Sequence, residues 1–372
     1  MSIVQTEADG RATPIAPRPE LAAIEAVPHG GFAETTGGNL LDFSANVNPF
    51  GPSPRVWGAI CSVALGRHPE PRAAPLRRFL AMYDDVAPAR LLIGNGSIEL
   101  IYNLAVAYLR PGDCVLVVEP TFGEYAAAAR IMGAQVLPWR SGPEQGFALD
   151  LDGLVRLALR TRPRLLFLCN PNNPTGAYHA REVIEYLLGA LPETLIVLDE
   201  AFVRFIPDAW MSRDLAANNL LVLRSLTKDY ALTGLRVGYA RGAPAVIAAL
   251  QKVQPPWSVN AMAQAATIAA LQDEEHFQRS LAALVEAKEL FMRDLAAIGL
   301  APLPSRLCFF LIHVGAAAIW RQRLLERGML VRDCTSFGLP GYIRVAVRRP
   351  AENARLMAAL MALKEELCLA EL

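Results

Sequence analysis

The sequence predicts an α/β protein in which a large domain with a mainly parallel central sheet is joined to a smaller α/β domain. Its 372 residues exceed what one hydrophobic core usually serves, so two domains are expected. Short apolar runs alternate with helical patterns beyond residue 86, which is typical of parallel strands joined by right-handed helical crossovers. After the stretch QPPWSVN this alternation gives way to a long helical pattern, which indicates the second domain.

The elements follow in order along the chain. Residues 1 to about 28 read as a loose arm, and two amphipathic helices are expected between residues 56 and 86. The short apolar runs that read as strands are 114–118, 135–138, 165–169, 195–198, 220–223 and 237–240. Several of them are continuously apolar, as expected for strands buried on both faces by helices. A helical stretch over 261–298 precedes strands at 309–313 and 342–347, with helices between and after them. We therefore expect an arm belonging partly to the small domain at 1–48, the large domain at 49–256 and the small C-terminal domain at 257–372.

The composition narrows the class of protein. Hydrophobic residues make up 53% of the chain and charged residues 19%, which describes a well-buried globular protein. The net charge is zero and no basic run stands out, so a nucleic-acid partner is not expected. The six cysteines are scattered, which argues against a disulfide framework or a metal site and favours a reducing compartment. Without an apolar signal core or a run long enough to span a bilayer, the chain reads as cytoplasmic, with no membrane partner.

Two stretches carry groups that could hold a phosphate. In LLIGNGSIEL a glycine-rich turn precedes a helix, so the backbone N–H groups of Gly96, Ser97 and Ile98 could form an anion site. Such turns are common, and alone this signal is weak. In RSLTKDYALTGLR, Ser225, Thr227, Lys228 and Arg236 follow an apolar strand. Lysines are usually solvated, and this one lies where the strand pattern predicts burial.

Two further strand ends carry an acid and an amide. Asp199 closes the run LIVLDEAF, where the ordinary interpretation is a helix cap and the other is the counter-ion of a buried cation. Asn173 lies in NPNNPTG, where asparagine is often only a turn residue. One cofactor, pyridoxal 5′-phosphate (PLP), would use all of these groups together. Lys228 is the amine that could form an imine, Asp199 could pair with a protonated ring nitrogen, and Asn173 could donate to a phenolate oxygen. The phosphate-binding residues of the two stretches above complete the set.

The order of motifs GNGSIEL, PTFGEY, NPNNPTG, LDEAF, SLTK…GLRVGY and YIRVAV resembles the fold-type I PLP-dependent enzymes of the aspartate aminotransferase superfamily. The resemblance covers the chain from His29 onward. It implies that the large domain binds PLP, that the protein is a homodimer with active sites at the interface, and that Phe122 stacks on the cofactor ring. Within the superfamily the chain resembles the branch that holds histidinol-phosphate aminotransferase and L-threonine-O-3-phosphate decarboxylase.

Several local motifs resemble the decarboxylase more than the aminotransferase. They are HGG at residues 29–31, DFSANVNPFG at 42–51, DEAF with Phe202 where the aminotransferase usually has tyrosine, RSLTK, PPWSVNA with Trp257, and LVRDCTSFG at 330–338. The sequence is therefore interpreted as a lyase that decarboxylates L-threonine O-3-phosphate to 1-amino-2-propanol O-2-phosphate in cobalamin biosynthesis. The alternative is histidinol-phosphate aminotransferase, acting with 2-oxoglutarate.

Two other classes fit less well. A PLP-binding regulator would carry a DNA-binding helix-turn-helix, which the short segment before His29 and the zero net charge disfavour. An inactive scaffold conflicts with the intact Lys228, Asp199 and Arg344.

The resemblance also assigns residues to a phosphorylated amino-acid substrate. Arg332 matches the position that binds the substrate phosphate, and Arg344 matches the arginine that binds the substrate carboxylate, where a planar guanidinium suits a bidentate contact. His29 resembles a second phosphate contact, and Asn46 and Asn173 complete the expected set.

One departure from the family stands in GRHPEP. His68 replaces a tyrosine that in relatives reaches across the dimer to the PLP phosphate. An imidazole could take over that contact, and its strength would then depend on pH.

Overall fold

A computed structural model describes residues 15–30, 40–215 and 217–370. The α-helices are α1 (Arg55–Cys61), α2 (Ala74–Tyr83), α3 (Gly96–Tyr108), α4 (Glu124–Ile131), α5 (Leu151–Thr161), α6 (Arg181–Ala190), α7 (Pro244–Val253), α8 (Ala261–Leu271), α9 (Glu274–Ala297), α10 (Ala317–Glu326) and α11 (Pro350–Ala370). The strands are β1 (Leu41–Asp42), β2 (Leu91–Gly94), β3 (Cys114–Glu119), β4 (Gln135–Arg140), β5 (Leu165–Cys169), β6 (Leu195–Asp199), β7 (Leu220–Ser225), β8 (Gly238–Gly242), β9 (Phe309–His313), β10 (Met329–Leu330), β11 (Arg332–Asp333) and β12 (Tyr342–Ala346).

The central sheet has seven strands in the order β2-β8-β7-β6-β5-β3-β4. Strands β3 to β7 pair in parallel, whereas β8 runs antiparallel to both β2 and β7. The prediction of an α/β fold with a mainly parallel sheet is therefore confirmed.

Successive residues of each central strand point to opposite faces of the sheet, and both faces are covered. In β6, Val197 packs into the cluster that contains Leu104 and Ile247 from α3 and α7. The next residue, Leu198, packs into the cluster formed with α5 and α6. Because neither face is left to solvent, every residue of β5, β6 and β7 is buried, which accounts for the continuous apolar runs in the sequence.

Smaller pairings form beyond the central sheet. Strands β11, β12 and β9 make an antiparallel sheet in that order, and Arg332 lies directly opposite Arg344 across its first pair. The short strand β1 pairs in parallel with β10, near the other end of the chain. The structure thus brings residues 41–42 to the C-terminal sheet region, while the domain boundaries at 48/49 and 256/257 stay a prediction.

Two element predictions differ from the structure. The helix expected over 261–298 is interrupted, because Asp273 caps the N-terminus of α9 by accepting a hydrogen bond from the His276 backbone N–H. The segment of β2 is predicted only as the approach to a glycine-rich turn. It is a fully buried edge strand that pairs with β8.

Within the described part of the chain, no helix is both long enough and apolar enough to cross a membrane.

Candidate active site

The candidate site begins where three parallel strands end at the same edge of the sheet. Cys169 closes β5, Asp199 closes β6, and the sheet register places these two residues side by side. Ser225 closes β7, the next strand. The loops that follow β5 and β7 carry Asn173 and Lys228. Parallel strands therefore deliver an acid, an amide, a hydroxyl and an amine to one place, as expected for the carboxyl edge of an open α/β sheet.

Two adjoining cavities lie at this edge, and we call them the inner and the outer cavity. The inner cavity, about 100 Å³, is lined by Gly96, Ser97, Ile98, Phe122, Tyr125, Cys169, Asn173, Asp199, Ala201, Phe202, Ser225, Thr227, Lys228 and Arg236. The outer cavity, about 300 Å³, shares Phe122, Asn173, Phe202, Thr227, Lys228 and Arg236 with it, and adds His29, Asn46, Arg332 and Arg344 among others.

Lys228 lies at the boundary of the two cavities. Its Nζ donates to Ser225 Oγ at 3.0 Å and lies 3.5 Å from Thr227 Oγ1. Burial lowers the pKa of this amine, and the opposing pull of the Asp199 charge does not restore it. The centroid of the Phe202 ring lies 5.4 Å from Nζ, and this ring has no hydroxyl that could form a hydrogen bond with the amine. The result is a buried amine that loses its proton more readily than a surface lysine.

Asp199 is a buried carboxylate with two internal donors. Its Oδ2 accepts from the Tyr125 hydroxyl at 2.6 Å, and its Oδ1 accepts from the Ala201 backbone N–H at 2.9 Å. Burial raises the pKa of Asp199, while these two bonds and the Lys228 charge pull it down. Sequence reasoning missed Tyr125, although the motif PTFGEY that contains it was recognised.

The opposite side of the inner cavity is rich in donors. The first N–H groups of α3 have no partner within their own helix, and Ser97 and Ile98 carry two of them into the cavity wall. Gly96 has φ +74°, and a Cβ there would lie 3.0 Å from Arg236 Nη2. A Cβ on Gly238 would lie 2.7 Å from the Ser97 nitrogen. Glycine at both positions allows the Arg236 guanidinium, the Ser225 and Thr227 hydroxyls and the start of α3 to lie close together around the inner cavity. This arrangement of donors is suited to binding an anion.

The residues of the inner cavity fit PLP. One side offers donors for a phosphate, and Asp199 offers a carboxylate for a basic ring nitrogen. Lys228 provides an amine for an aldehyde, and Phe122 provides an aromatic ring in the wall.

The outer cavity is dominated by two arginines. Arg344 donates through Nη1 to Asn173 Oδ1 and through Nη2 to the Ser44 carbonyl at 2.6 Å, and burial lowers its pKa to about 10. Arg332 donates through Nη2 to the Pro28 carbonyl and to Ser336 Oγ, both at 2.7 Å. Asn46 is buried nearby, and its Oδ1 has no hydrogen-bond partner among the described residues. This cavity can attract an anionic substrate.

His29 lies at the mouth of the outer cavity, with 54% of its side chain exposed. Its Nε2 lies 2.9 Å from Glu124 Oε1, and the other carboxylate oxygen accepts from the Tyr102 hydroxyl at 2.7 Å. Sequence reasoning did not anticipate Glu124 or Tyr102 beside His29. Gly31, the third residue of the HGG motif, lies outside the described residues.

His68 is the one predicted site residue that lies away from both cavities of this chain. It is exposed, and its ring stacks on Trp257 with 4.9 Å between the ring centroids. The structure therefore brings together the other predicted site residues and leaves His68 on the surface.

Comparison with known proteins supports the resemblance to PLP enzymes. Residues 39–360 match the family model described as aminotransferase class I and II. A histidinol-phosphate aminotransferase from Symbiobacterium thermophilum is 40% identical over 331 residues, which cover 87% of this chain and 90% of that protein. The PLP complex of histidinol-phosphate aminotransferase from Sinorhizobium meliloti has a TM-score of 0.80 at 28% identity, covering 87% of this chain and 90% of that one. L-Threonine-O-3-phosphate decarboxylase from Porphyromonas gingivalis has a TM-score of 0.78 at 29% identity, covering 88% and 100%.

These findings overturn one prediction. Relatives that are 34–40% identical over 87% of the chain are histidinol-phosphate aminotransferases. The interpretation of the chain as a threonine-phosphate decarboxylase of cobalamin biosynthesis is therefore wrong, and the alternative is the better supported. The local motifs led to the wrong enzyme because both enzymes of this branch bind PLP and a substrate that carries a phosphate. Short motifs around the PLP site and the phosphate site therefore distinguish the two enzymes poorly.

Proposed function

The chain belongs to the aminotransferase class I and II family and uses PLP, and on that premise we propose that it transfers the amino group of histidinol phosphate to 2-oxoglutarate. The observation that carries the substrate assignment is the position of Arg332 and Arg344. They face each other across β11 and β12 and line the same cavity as Lys228. Such a pair suits a substrate with a phosphate and a second substrate with two carboxylates.

The inner cavity would hold the cofactor through its phosphate, its ring nitrogen, the face of its ring and its phenolate oxygen. The Ser225 and Thr227 hydroxyls, the Arg236 guanidinium and the N–H groups at the start of α3, from Gly96 to Ile98, would bind its phosphate. Asp199 would pair with the ring nitrogen and Phe122 would stack on the ring. Asn173 would donate to the phenolate oxygen through its amide N–H groups, because its Oδ1 already accepts from Arg344.

Bound PLP supplies an electron sink for the bonds at the substrate carbon that carries the amine. Lys228 would anchor the cofactor and then move the proton at that carbon. Its lowered pKa suits this role, because a neutral amine can accept a proton and return it. The Ser225 hydroxyl holds the amine at 3.0 Å and would keep it directed at the boundary between the cavities.

The outer cavity would bind the substrates and distinguish them by their charged groups. Arg332 would bind the phosphate of histidinol phosphate, and His29 would lie beside it. Arg344 would bind a carboxylate of the 2-oxo acid, with Asn46 and Asn173 lining the same wall. The segment that carries His29 is already tied to Arg332 through the Pro28 carbonyl, so substrate binding and the position of this segment would be linked.

We further propose a homodimer in which His68 of each chain serves the partner's cofactor site. His68 and Trp257 form an exposed aromatic pair. Helices α1 and α2, which both pack on α8, expose Trp57 and Met82. Large apolar side chains exposed on neighbouring elements are typical of a protein–protein interface.

Steady-state assays test the substrate. With histidinol phosphate and 2-oxoglutarate, the PLP-loaded protein should form glutamate, and kcat/KM should fall at least about 100-fold with histidinol, because charge-assisted bonds to phosphate contribute about 1.5–3 kcal/mol each. Threonine phosphate should not release CO2. Absence of glutamate together with rapid CO2 release from threonine phosphate would reject the proposed reaction while leaving the cofactor site in place.

A further inference from the structure

Tyr125 is a buried polar residue in the wall of the inner cavity. Only 1% of the residue is exposed, and its hydroxyl donates to Asp199 Oδ2 at 2.6 Å. The ring is fixed by its neighbours. It stacks on Phe167 with centroids 4.8 Å apart and planes 10° apart, and it meets the edge of Phe122 at 5.6 Å. The hydroxyl therefore has little freedom to turn away from the carboxylate.

The hydrogen bond from Tyr125 affects both the charge and the orientation of the Asp199 carboxylate. Burial disfavours the charged carboxylate, and a donor to that carboxylate favours it. Tyr125 on Oδ2 and the Ala201 N–H on Oδ1 also fix the plane of the group. Each carboxylate oxygen accepts about two hydrogen bonds, so one position on each remains for a donor in the inner cavity.

The thiol beside Asp199 does not duplicate the role of the Tyr125 hydroxyl. Cys169, beside Asp199 on β5, donates its thiol to the Pro171 carbonyl at 3.2 Å. Burial raises the pKa of that thiol to about 12, so it adds no competing charge. Burial and the Asp199 charge also raise the pKa of Tyr125, which keeps the phenol a donor.

We propose that Tyr125 is a positioning residue for the cofactor, whose hydroxyl keeps the Asp199 carboxylate ionised and directed at the ring nitrogen. The proposal rests on the cofactor placement proposed above. It assigns Tyr125 no contact with the substrate. The proposal requires that the effect of the hydroxyl on the cofactor pass through Asp199, and a double-mutant cycle measures such a dependence.

The experiment uses four proteins, the parent, Tyr125→Phe, Asp199→Asn and the double variant. Phe keeps the stack on Phe167 and removes the hydroxyl, with its bond to Asp199 and its contact with the Cys169 thiol. Two quantities are measured, the Kd for PLP by titration of the cofactor-free protein, and the ¹⁵N chemical shift of PLP labelled at the ring nitrogen. The shift reports protonation of that nitrogen without any need for turnover.

Tyr239→Phe is the matched control. Tyr239 is equally buried, and its hydroxyl donates to Asp84 Oδ2 at 2.8 Å, but it lines neither cavity. A general loss of stability from deleting a buried tyrosine–aspartate bond should affect both tyrosine variants alike. A change in PLP binding should be confined to Tyr125→Phe.

We expect Tyr125→Phe to raise the Kd for PLP about tenfold, in line with one lost bond to a charged group, and to move the ¹⁵N shift toward that of the unprotonated ring. In the Asp199→Asn background the same change should alter the Kd less than about twofold. If Asp199→Asn changes both readouts and Tyr125→Phe changes neither, the inference is overturned and the proposed function stands. Additive effects in the double variant would also overturn it. If Asp199→Asn changes neither readout, the cofactor placement fails, and the inference fails with it.

Discussion

At the scale of single residues, Lys228 combines a buried amine with two hydroxyl neighbours, and burial lowers its pKa. A neutral amine in a polar pocket is a nucleophile toward an aldehyde. We expect borohydride reduction of the PLP-loaded protein to fix the cofactor on Lys228, as read by peptide mass spectrometry. Lys228→Ala should lose both the labelled peptide and measurable transamination. A label on Lys252, Lys288 or Lys364 would contradict the assignment.

Arg332 is expected to carry the preference for a phosphorylated substrate. Arg332→Ala should lower kcat/KM for histidinol phosphate by about 10- to 150-fold, since a charge-assisted bond is worth about 1.5–3 kcal/mol, and should leave that for histidinol nearly unchanged. Arg332→Lys keeps the charge but loses the planar fork, so it should recover only part of the loss. Arg323→Ala, an exposed arginine of α10, serves as control. Equal losses on both substrates would show that Arg332 does not read the phosphate.

Asp229, next to Lys228, should make stability depend on pH. Burial raises its pKa from 3.8 to about 6, although Arg224 and Arg204 pull it back. The folded state thus resists ionisation. Ionisation of Asp229 therefore destabilises the folded state. This destabilisation is absent below pH 3.8, the pKa of Asp229 in the unfolded chain, grows between pH 3.8 and about pH 6, and is complete above about pH 6. This difference in the pKa of Asp229 between the unfolded and folded states corresponds to about 3 kcal/mol of folding free energy.

We therefore expect Asp229→Asn to raise the free energy of unfolding by about 2–3 kcal/mol at pH 7.5, with a smaller gain at pH 5. Urea unfolding of the PLP-loaded proteins at both pH values measures it. The same exchange at the exposed Asp294 controls for the effect of the substitution itself. A gain of equal size at both pH values would mean that ionisation of Asp229 is not its source.

The sequence identified the residues with distinctive chemistry, because an amine, a carboxylate and hydroxyls are costly to bury at the ends of apolar runs unless they bind something. It did not identify residues whose role depends on a contact between distant positions. Glu124 and His29 are far apart in the chain, and neither is unusual alone. Tyr125 offered one usable signal, since a tyrosine at the start of a buried helix needs a hydrogen-bond partner for its hydroxyl.

At the scale of elements, strands buried on both faces were predicted to within about two residues, because a short, continuous apolar run within an alternating pattern is typical of a strand covered by helices on both sides. Strand β2 escaped because its four residues run directly into the glycine turn before α3. The prediction of one continuous helix overlooked the break between α8 and α9, where residues 272–276 are all polar and interrupt the apolar period. An aspartate followed by two glutamates at 273–275 is also a typical helix start.

The start of α9 is therefore a place to test element stability. Asp273 caps this helix, and its Oδ2 also accepts from Ser53 Oγ at 2.5 Å, which ties α9 to the segment before α1. Asp273→Ala should lower the free energy of unfolding by about 1–2 kcal/mol, measured by urea unfolding. Asp273→Ser keeps a capping oxygen and should lose less. Glu289→Ala, on the same helix, should stay within about 0.5 kcal/mol. No loss in Asp273→Ala would show that the cap is not needed.

At the scale of the whole molecule, the proposed dimer rests on apolar side chains that this chain leaves exposed. Trp57, Leu65 and Met82 are 64%, 79% and 75% exposed. We expect sedimentation to give twice the chain mass. Trp57→Glu should shift the protein toward monomer, because a charge in an apolar interface is left unpaired. Tyr186→Glu, at an exposed aromatic residue of α6, should not.

The same experiment tests His68. If the partner's His68 reaches the cofactor, His68→Ala should weaken PLP retention without changing the sedimented mass. A monomeric parent protein that binds PLP tightly would reject both the dimer and the role of His68.

The pairing of β1 with β10 orders events on the ribosome. Leu41 is synthesised long before its partner Met329, so this pair can form only after the intervening chain has been made. All the residues that line the inner cavity lie between Gly96 and Arg236, so that cavity can assemble while synthesis continues. The outer cavity must wait for Arg332 and Arg344. A nascent chain can therefore acquire its cofactor pocket before it has any means of recognising a substrate.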